Sequence, residues 1–161
     1  EEPLPEPGEV VVSESAVDLI PERVLSYETI TRQDVPGQEM RAAEAVYTSL
    51  NMDLANARPQ NTYVRVERVA GSSEAERRAS EMLAPYTRDQ ASIIAGQQTT
   101  AREGWAPDQS AWTVVWTRGD IVYLVKTSYL DVPPAQRTQE LLLNNGTPVV
   151  DAVADHVPED G

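Results

Sequence analysis

The chain reads as an α+β protein, a mostly antiparallel sheet with helices packed on one or both faces. Three observations predict this. "TYVRVERVA" (residues 62–70) and "AWTVVWTRGDIVYLV" (residues 111–125) alternate with the period of two that a pleated strand imposes. "SSEAERRASEML" (residues 72–83), lying between them, repeats its apolar positions at helical spacing. After the last strand signal, two further segments return to helical spacing, so the order is strands, helix, strands, helix, helix.

The opening "EEPLPEPGE" places three prolines, one glycine and four acids in nine residues and reads as an extended linker. Apolar side chains return after it, which sets residues 1–18 as an acidic Pro-rich linker, 19–157 as one domain and 158–161 as an acidic tail. "YETITRQ" and "AEAVYTSL" form a hairpin in which Pro36-Gly37 supplies the fixed φ and then the permissive φ of a type II turn. On the second strand Ala45, Tyr47 and Ser49 share one side, and Val46, Thr48 and Leu50 the other. "NMDLANARPQN" is a loop by composition.

Ser73 followed by Glu76 is a capping-box pattern for the helix. Ala75, Ala79, Met82, Leu83 and Tyr86 then form its apolar stripe, and Pro85 ends it near Ala84. Residues 87–110 are poor in signal: "ASIIAG" reads as a short strand and "TTAREGWAPDQS" as a loop. In the hairpin around Arg118-Gly119-Asp120, a central pair of Arg118-Gly119 sets Trp116 against Ile121, whereas Gly119-Asp120 sets Trp116 against Tyr123. Gly119 is required in both, because a tight primed turn demands positive φ. A helix with Pro134 in its first turn then ends at Asn145-Gly146. A last short helix carries Val149, Val150, Val153 and Val157 on one side.

The formal net charge of −13 is a property of the ends. Residues 1–22 hold seven acids and residues 151–161 four, with no Lys or Arg in either, while residues 23–150 hold 15 acids against 13 bases. Acidic ends repel phosphate, which disfavours nucleic acid and anionic lipid as partners. No run of 18 apolar residues is present, so no membrane span is expected in this chain. The absence of cysteine excludes disulfides, thiol nucleophiles and Cys-based zinc sites.

Little of the remaining sequence carries catalytic chemistry. The sole histidine, His156, lies near Asp151 and Asp155, but one imidazole without cysteine is a poor zinc set, and no metal or other cofactor is expected. The motifs G-x-S-x-G, H-E-x-x-H and the phosphate-binding glycine loop are missing. A paired-carboxylate glycosidase would draw on Glu103, Asp108, Asp120 and Asp131 around the Trp-rich hairpin. The aromatics Trp105, Trp112, Trp116, Tyr123 and Tyr129 cluster there in a chain with no Phe. They are either a stacking platform for a sugar, small molecule or partner, or the bulky buried face that a sheet needs; the second reading is favoured. Asn145-Gly146-Thr147 matches a glycosylation sequon but serves equally as a helix stop. The Arg-Gly-Asp tripeptide reads as a turn rather than as an adhesion ligand.

"LIPERVLSYETI", "AEAVYTSL", "TYVRVERVAGSSEAERRASEML" and "TVVWTRGDIVYLVKTS", in this order, resemble a loose class of bacterial extracytoplasmic domains, often lipoproteins or membrane-tethered modules. Their outline is similar to the PsbP/Mog1-like α/β/α sandwich, whose photosynthetic members are extrinsic subunits of membrane complexes. The resemblance implies a periplasmic or cell-surface location and carries no catalytic residues. The expectation is a non-catalytic accessory domain, tethered at its N-terminus, that docks on a protein partner or membrane complex. The alternative is a carbohydrate- or small-molecule-binding module using the Trp/Tyr hairpin face.

Overall fold

The computed structural model describes residues 15–24, 27–51, 58–94, 99–106, 111–128 and 139–156. Alternating patterns become seven strands: β1 (Glu28–Asp34), β2 (Ala42–Asn51), β3 (Arg58–Arg68), β4 (Thr87–Ile94), β5 (Thr99–Trp105), β6 (Ala111–Arg118) and β7 (Ile121–Ser128). They form one sheet in the order β1-β2-β3-β7-β6-β5-β4, and every neighbouring pair is antiparallel. Helix α1 (Ser72–Leu83) joins β3 to β4 and packs on β6 and β7. Helix α2 (Gln139–Asp155) and a 3₁₀ turn (Ala16–Leu19) lie on the opposite face. The antiparallel α+β architecture expected from the alternation is therefore present, with helices on both faces.

The Pro36-Gly37 turn is present, with Gly37 at φ +83°, and Ala45 and Tyr47 are buried together on one side of β2. The β6–β7 hairpin takes the second of its two registers: Arg118 pairs with Ile121, so Gly119-Asp120 is central and Trp116 meets Tyr123. Among these two residues only Gly119 has positive φ (+62°), as a turn with glycine at its first central position requires.

Four local readings are corrected. Strand β3 begins at Arg58, inside the segment read as a loop, because ten residues of β2 offer it a continuous ladder. Helix α1 starts after Gly71, whose backbone is extended and whose carbonyl accepts from Ala75 N–H at 3.0 Å; Ser73 lies within the first turn and makes no capping bond. "TTAREGW" is strand β5, not a loop. Its glycine marks a close approach rather than a break: a Cβ on Gly104 would lie 2.6 Å from Tyr86 Cβ and 3.1 Å from a Leu83 methyl. From Gln139 on, the two expected C-terminal helices are one helix, with Pro148 inside it and Gly146 against the sheet, while Pro134 lies outside the described residues. Val149, Val150 and Val153 are buried as their spacing predicts, while Val157 lies outside the described residues.

The two faces are unequal. Beneath α2, Leu142, Val149, Val150 and Val153 meet Val64, Val66, Trp112, Val114, Trp116, Tyr123 and Val125, joined by Ala16, Leu19, Ile20 and Val24 from the lead-in. The α1 side is smaller, with Ala75, Ala79, Met82 and Leu83 against Val115, Val122 and Leu124.

Gly146 gives a prediction opposite in sign to helix propensity. In an exposed helix, Gly→Ala gains about 1 kcal/mol. Here the added Cβ would meet Thr127 Oγ1 at 2.5 Å and the Trp112 ring at 2.9 Å. Gly146→Ala is expected to destabilise the domain by about 1–3 kcal/mol, as overpacking does. The check is a lower urea midpoint at unchanged slope.

Candidate functional site

Four of the five aromatics that the sequence singles out are buried. Trp105, Trp112, Trp116 and Tyr123 are 4, 6, 2 and 4% exposed. Trp116 stacks on Tyr123 with ring centroids 5.1 Å apart and planes 5° from parallel, and Trp105 meets Trp112 at 6.1 Å. Trp112 Nε1 donates to Glu103 Oε2 at 3.1 Å. These rings are core beneath α2, so they offer no open stacking platform, and the sugar-binding reading of this face is corrected on that ground. Tyr129 lies outside the described residues.

The candidate carboxylates do not converge. Glu103 is engaged by Trp112, and Asp120 sits in the hairpin turn, where its carbonyl accepts from Val69 N–H at 2.8 Å. Asp108 and Asp131 lie outside the described residues. No group of three His, Cys, Asp or Glu suited to a metal ion occurs among the described residues.

Arg118 is turned inward from the tripeptide. Its guanidinium lies 5.9 Å from the Tyr123 ring centroid, and Nη2 donates to the Ala154 carbonyl at 3.1 Å. A cation here satisfies a carbonyl at the negative end of α2. His156 Nε2 lies 2.9 Å from the carbonyl oxygen of Asp18. A carbonyl only accepts, so the ring carries a proton on Nε2. Asp151 is raised above the usual carboxylate range by burial and by the neighbouring Asp155 charge.

The surface that the sequence did not single out is the α1-side face of β1–β3. Helix α1 packs on β6 and β7, and the strands beyond them present polar side chains on this side. Gln33, Glu44 and Arg65 form one row across the three strands, and Thr31, Val46 and Tyr63 the next. Tyr63 Oη donates to Glu44 Oε2 at 3.0 Å, Gln33 Nε2 donates to Glu44 Oε1 at 3.5 Å, and Thr48 Oγ1 donates to Asn61 Oδ1 at 2.5 Å. At the border with α1, Glu67 receives Arg78 Nε at 2.8 Å and Nη2 at 3.1 Å, and Arg65 Nε at 2.5 Å. Next to this face, in register with Tyr63, Lys126 holds its ammonium 5.9 Å from the Tyr86 ring centroid. Ile30, at an irregularity in β1, is 51% exposed. The signal in the sequence was the Tyr63, Arg65, Glu67 alternation, which marks a polar side but not whether a helix covers it.

Burial pushes the Glu67 carboxyl up, but hydrogen bonds and charge from Arg78 and Arg65 more than offset this and hold it below its usual 4.5. The folded value is thus lower than the unfolded one. The stabilisation is complete above the unfolded value and is lost as pH falls through the folded value. Thermal melts are expected to decline as the pH is lowered from about 5. Glu67→Gln flattens that part of the profile; an unchanged acid limb in this variant removes Glu67 as its source.

This face is a set of prepaired polar groups around half-buried Tyr63 and Val46, an arrangement that suits recognition. No family model, curated protein or solved structure matches this chain.

Proposed function

We propose that the domain is a non-catalytic docking module that receives a protein partner on the α1-side face of β1–β3. The observation that carries this reading is the uneven cover of the sheet: α2 and the lead-in bury one face, whereas α1 packs over β6 and β7 on the other. The side chains left on β1–β3 are already held by mutual bonds, so docking freezes few rotamers. The acidic Pro-rich residues ahead of Ser15 act as the tether, since Ala16 already belongs to the core, and the partner is a membrane complex at an extracytoplasmic surface. This placement rests on the resemblance of the segment order to tethered bacterial domains, and the acidic ends suit a solvated tether. Helices on both faces of an antiparallel sheet are in keeping with a PsbP/Mog1-like sandwich.

The test uses the exposed Thr31, which projects from this face opposite Val46. Thr31→Arg leaves the core untouched. Wild-type chain is expected to recover a stable partner from solubilised membranes, and the Thr31→Arg chain to lose it with an unchanged melting temperature. Recovery of no partner by the wild type, or equal recovery by both, overturns the reading.

A further inference from the structure

The lead-in Ser15–Val24 has no strand partner, yet its carbonyls are taken up by side chains from three separate elements. Arg32 of β1 donates through Nη2 to the Val17 carbonyl and through Nε to the Ile20 carbonyl, each at 2.9 Å. His156, just beyond α2, donates to the Asp18 carbonyl at 2.9 Å. Tyr47 of β2 donates to the Pro21 carbonyl, and Thr29 of β1 to the Glu22 carbonyl at 2.8 Å. The backbone adds Ala16 N–H to the Met40 carbonyl at 3.1 Å. Between these bonds Ala16, Leu19, Ile20 and Val24 are sealed in the core.

We infer that Ser15–Val24 is a latched strap that carries tension from the N-terminal segment into both the sheet and α2. One guanidinium bridges Val17 and Ile20, the two ends of a single turn, so the turn does not unwind from its N-terminal end one bond at a time. Extraction must also pull Ile20 from the core, where apolar burial opposes it. Burial, partly offset by the Arg32 charge, pushes the Tyr47 phenol up to about 12, so it remains a donor to Pro21 throughout the ordinary pH range. His156 closes the latch on α2, whose last turn Arg118 grips from the hairpin side. The strap's use rests on the tethered reading above, but its geometry does not.

The test is single-molecule pulling of the full chain between its ends. The wild type is expected to lose the strap only with global unfolding, in one step. Arg32→Met with His156→Ala is expected to add an early step at lower force, releasing about ten residues, or at most roughly 33–36 Å of extended chain. An early step in the wild type, or an unchanged single step in the variant, overturns the latch. Hydrogen exchange on the wild type covers the case of a variant that does not fold. The amides of Ala16, Asp18 and Ile20 are expected to exchange within about tenfold of those of β3. Exchange at the rate of an unstructured segment overturns the proposal. Membrane fractionation of the natural protein tests the tether separately, since a soluble protein with a protected strap rejects the tether and keeps the latch.

Discussion

Trp116→Ala lowers the stability of the domain by about 3–5 kcal/mol, the range for deleting a large aromatic from a packed core. The ring is 2% exposed, stacked on Tyr123 and enclosed by the α2 face. Its indole N–H is buried with no hydrogen-bond partner among the described residues. That detail makes the milder substitution informative. Trp116→Phe removes an unpaired donor as well as volume, so its cost is expected to stay under about 1.5 kcal/mol. Trp112→Phe costs more than Trp116→Phe, because it also strips the Glu103 carboxylate of its indole donor. Urea unfolding followed by circular dichroism orders the three variants. A stable Trp116→Ala chain that loses only ligand binding contradicts the core assignment.

Glu67→Ala is expected to cost about 2–3 kcal/mol. The carboxylate side chain is 10% exposed, while Arg65 and Arg78 are 22 and 36% exposed. Both arginines are thus partly hydrated and Arg78 keeps Glu81 at 3.4 Å, which places the loss below that of a fully buried broken pair. A double-mutant cycle between Glu67 and Arg78 should return a coupling of about 1–2 kcal/mol, since they share two hydrogen bonds. Zero coupling assigns the cost of Glu67→Ala to the Arg65 pair and to packing rather than to Arg78. Replacing Arg65, Glu67 and Arg78 together by apolar residues of similar volume is expected to be milder than Glu67→Ala alone, because no charge is then left without a partner.

The fold was legible where each residue's local preference and its tertiary role agree. The alternation in β3, β6 and β7 and the Ala75–Ala79–Leu83 stripe all report a buried face, and each was buried as read. Legibility failed at glycines. Gly104 and Gly146 look like punctuation, yet both are small because Tyr86 and Trp112 press against them from other elements. Contacts of this kind have no local sequence signal. The same reason hid the open face of β1–β3: its polarity was visible, but its openness depends on where α1 comes to rest. The favoured reading of the aromatic cluster held because a sheet of this width needs bulky side chains under its helix, and the chain has no Phe to supply them.

The sheet consists of two meanders, β1-β2-β3 and β4-β5-β6-β7, each built from neighbours in sequence and joined along the β3–β7 seam. That seam pairs Thr62 with Thr127, 65 residues apart, and their hydroxyls meet at 3.1 Å. Each meander closes small loops, but the seam closes a large one before any of its contacts repay the lost chain entropy. The order of assembly expected from this topology is hairpins first, the seam as the slow step, and α2 docking after β3 and β7 have given it a floor. Substitutions at Val64 or Val125, which face each other across the seam, should slow refolding, whereas those in the β1–β2 hairpin should mainly speed unfolding.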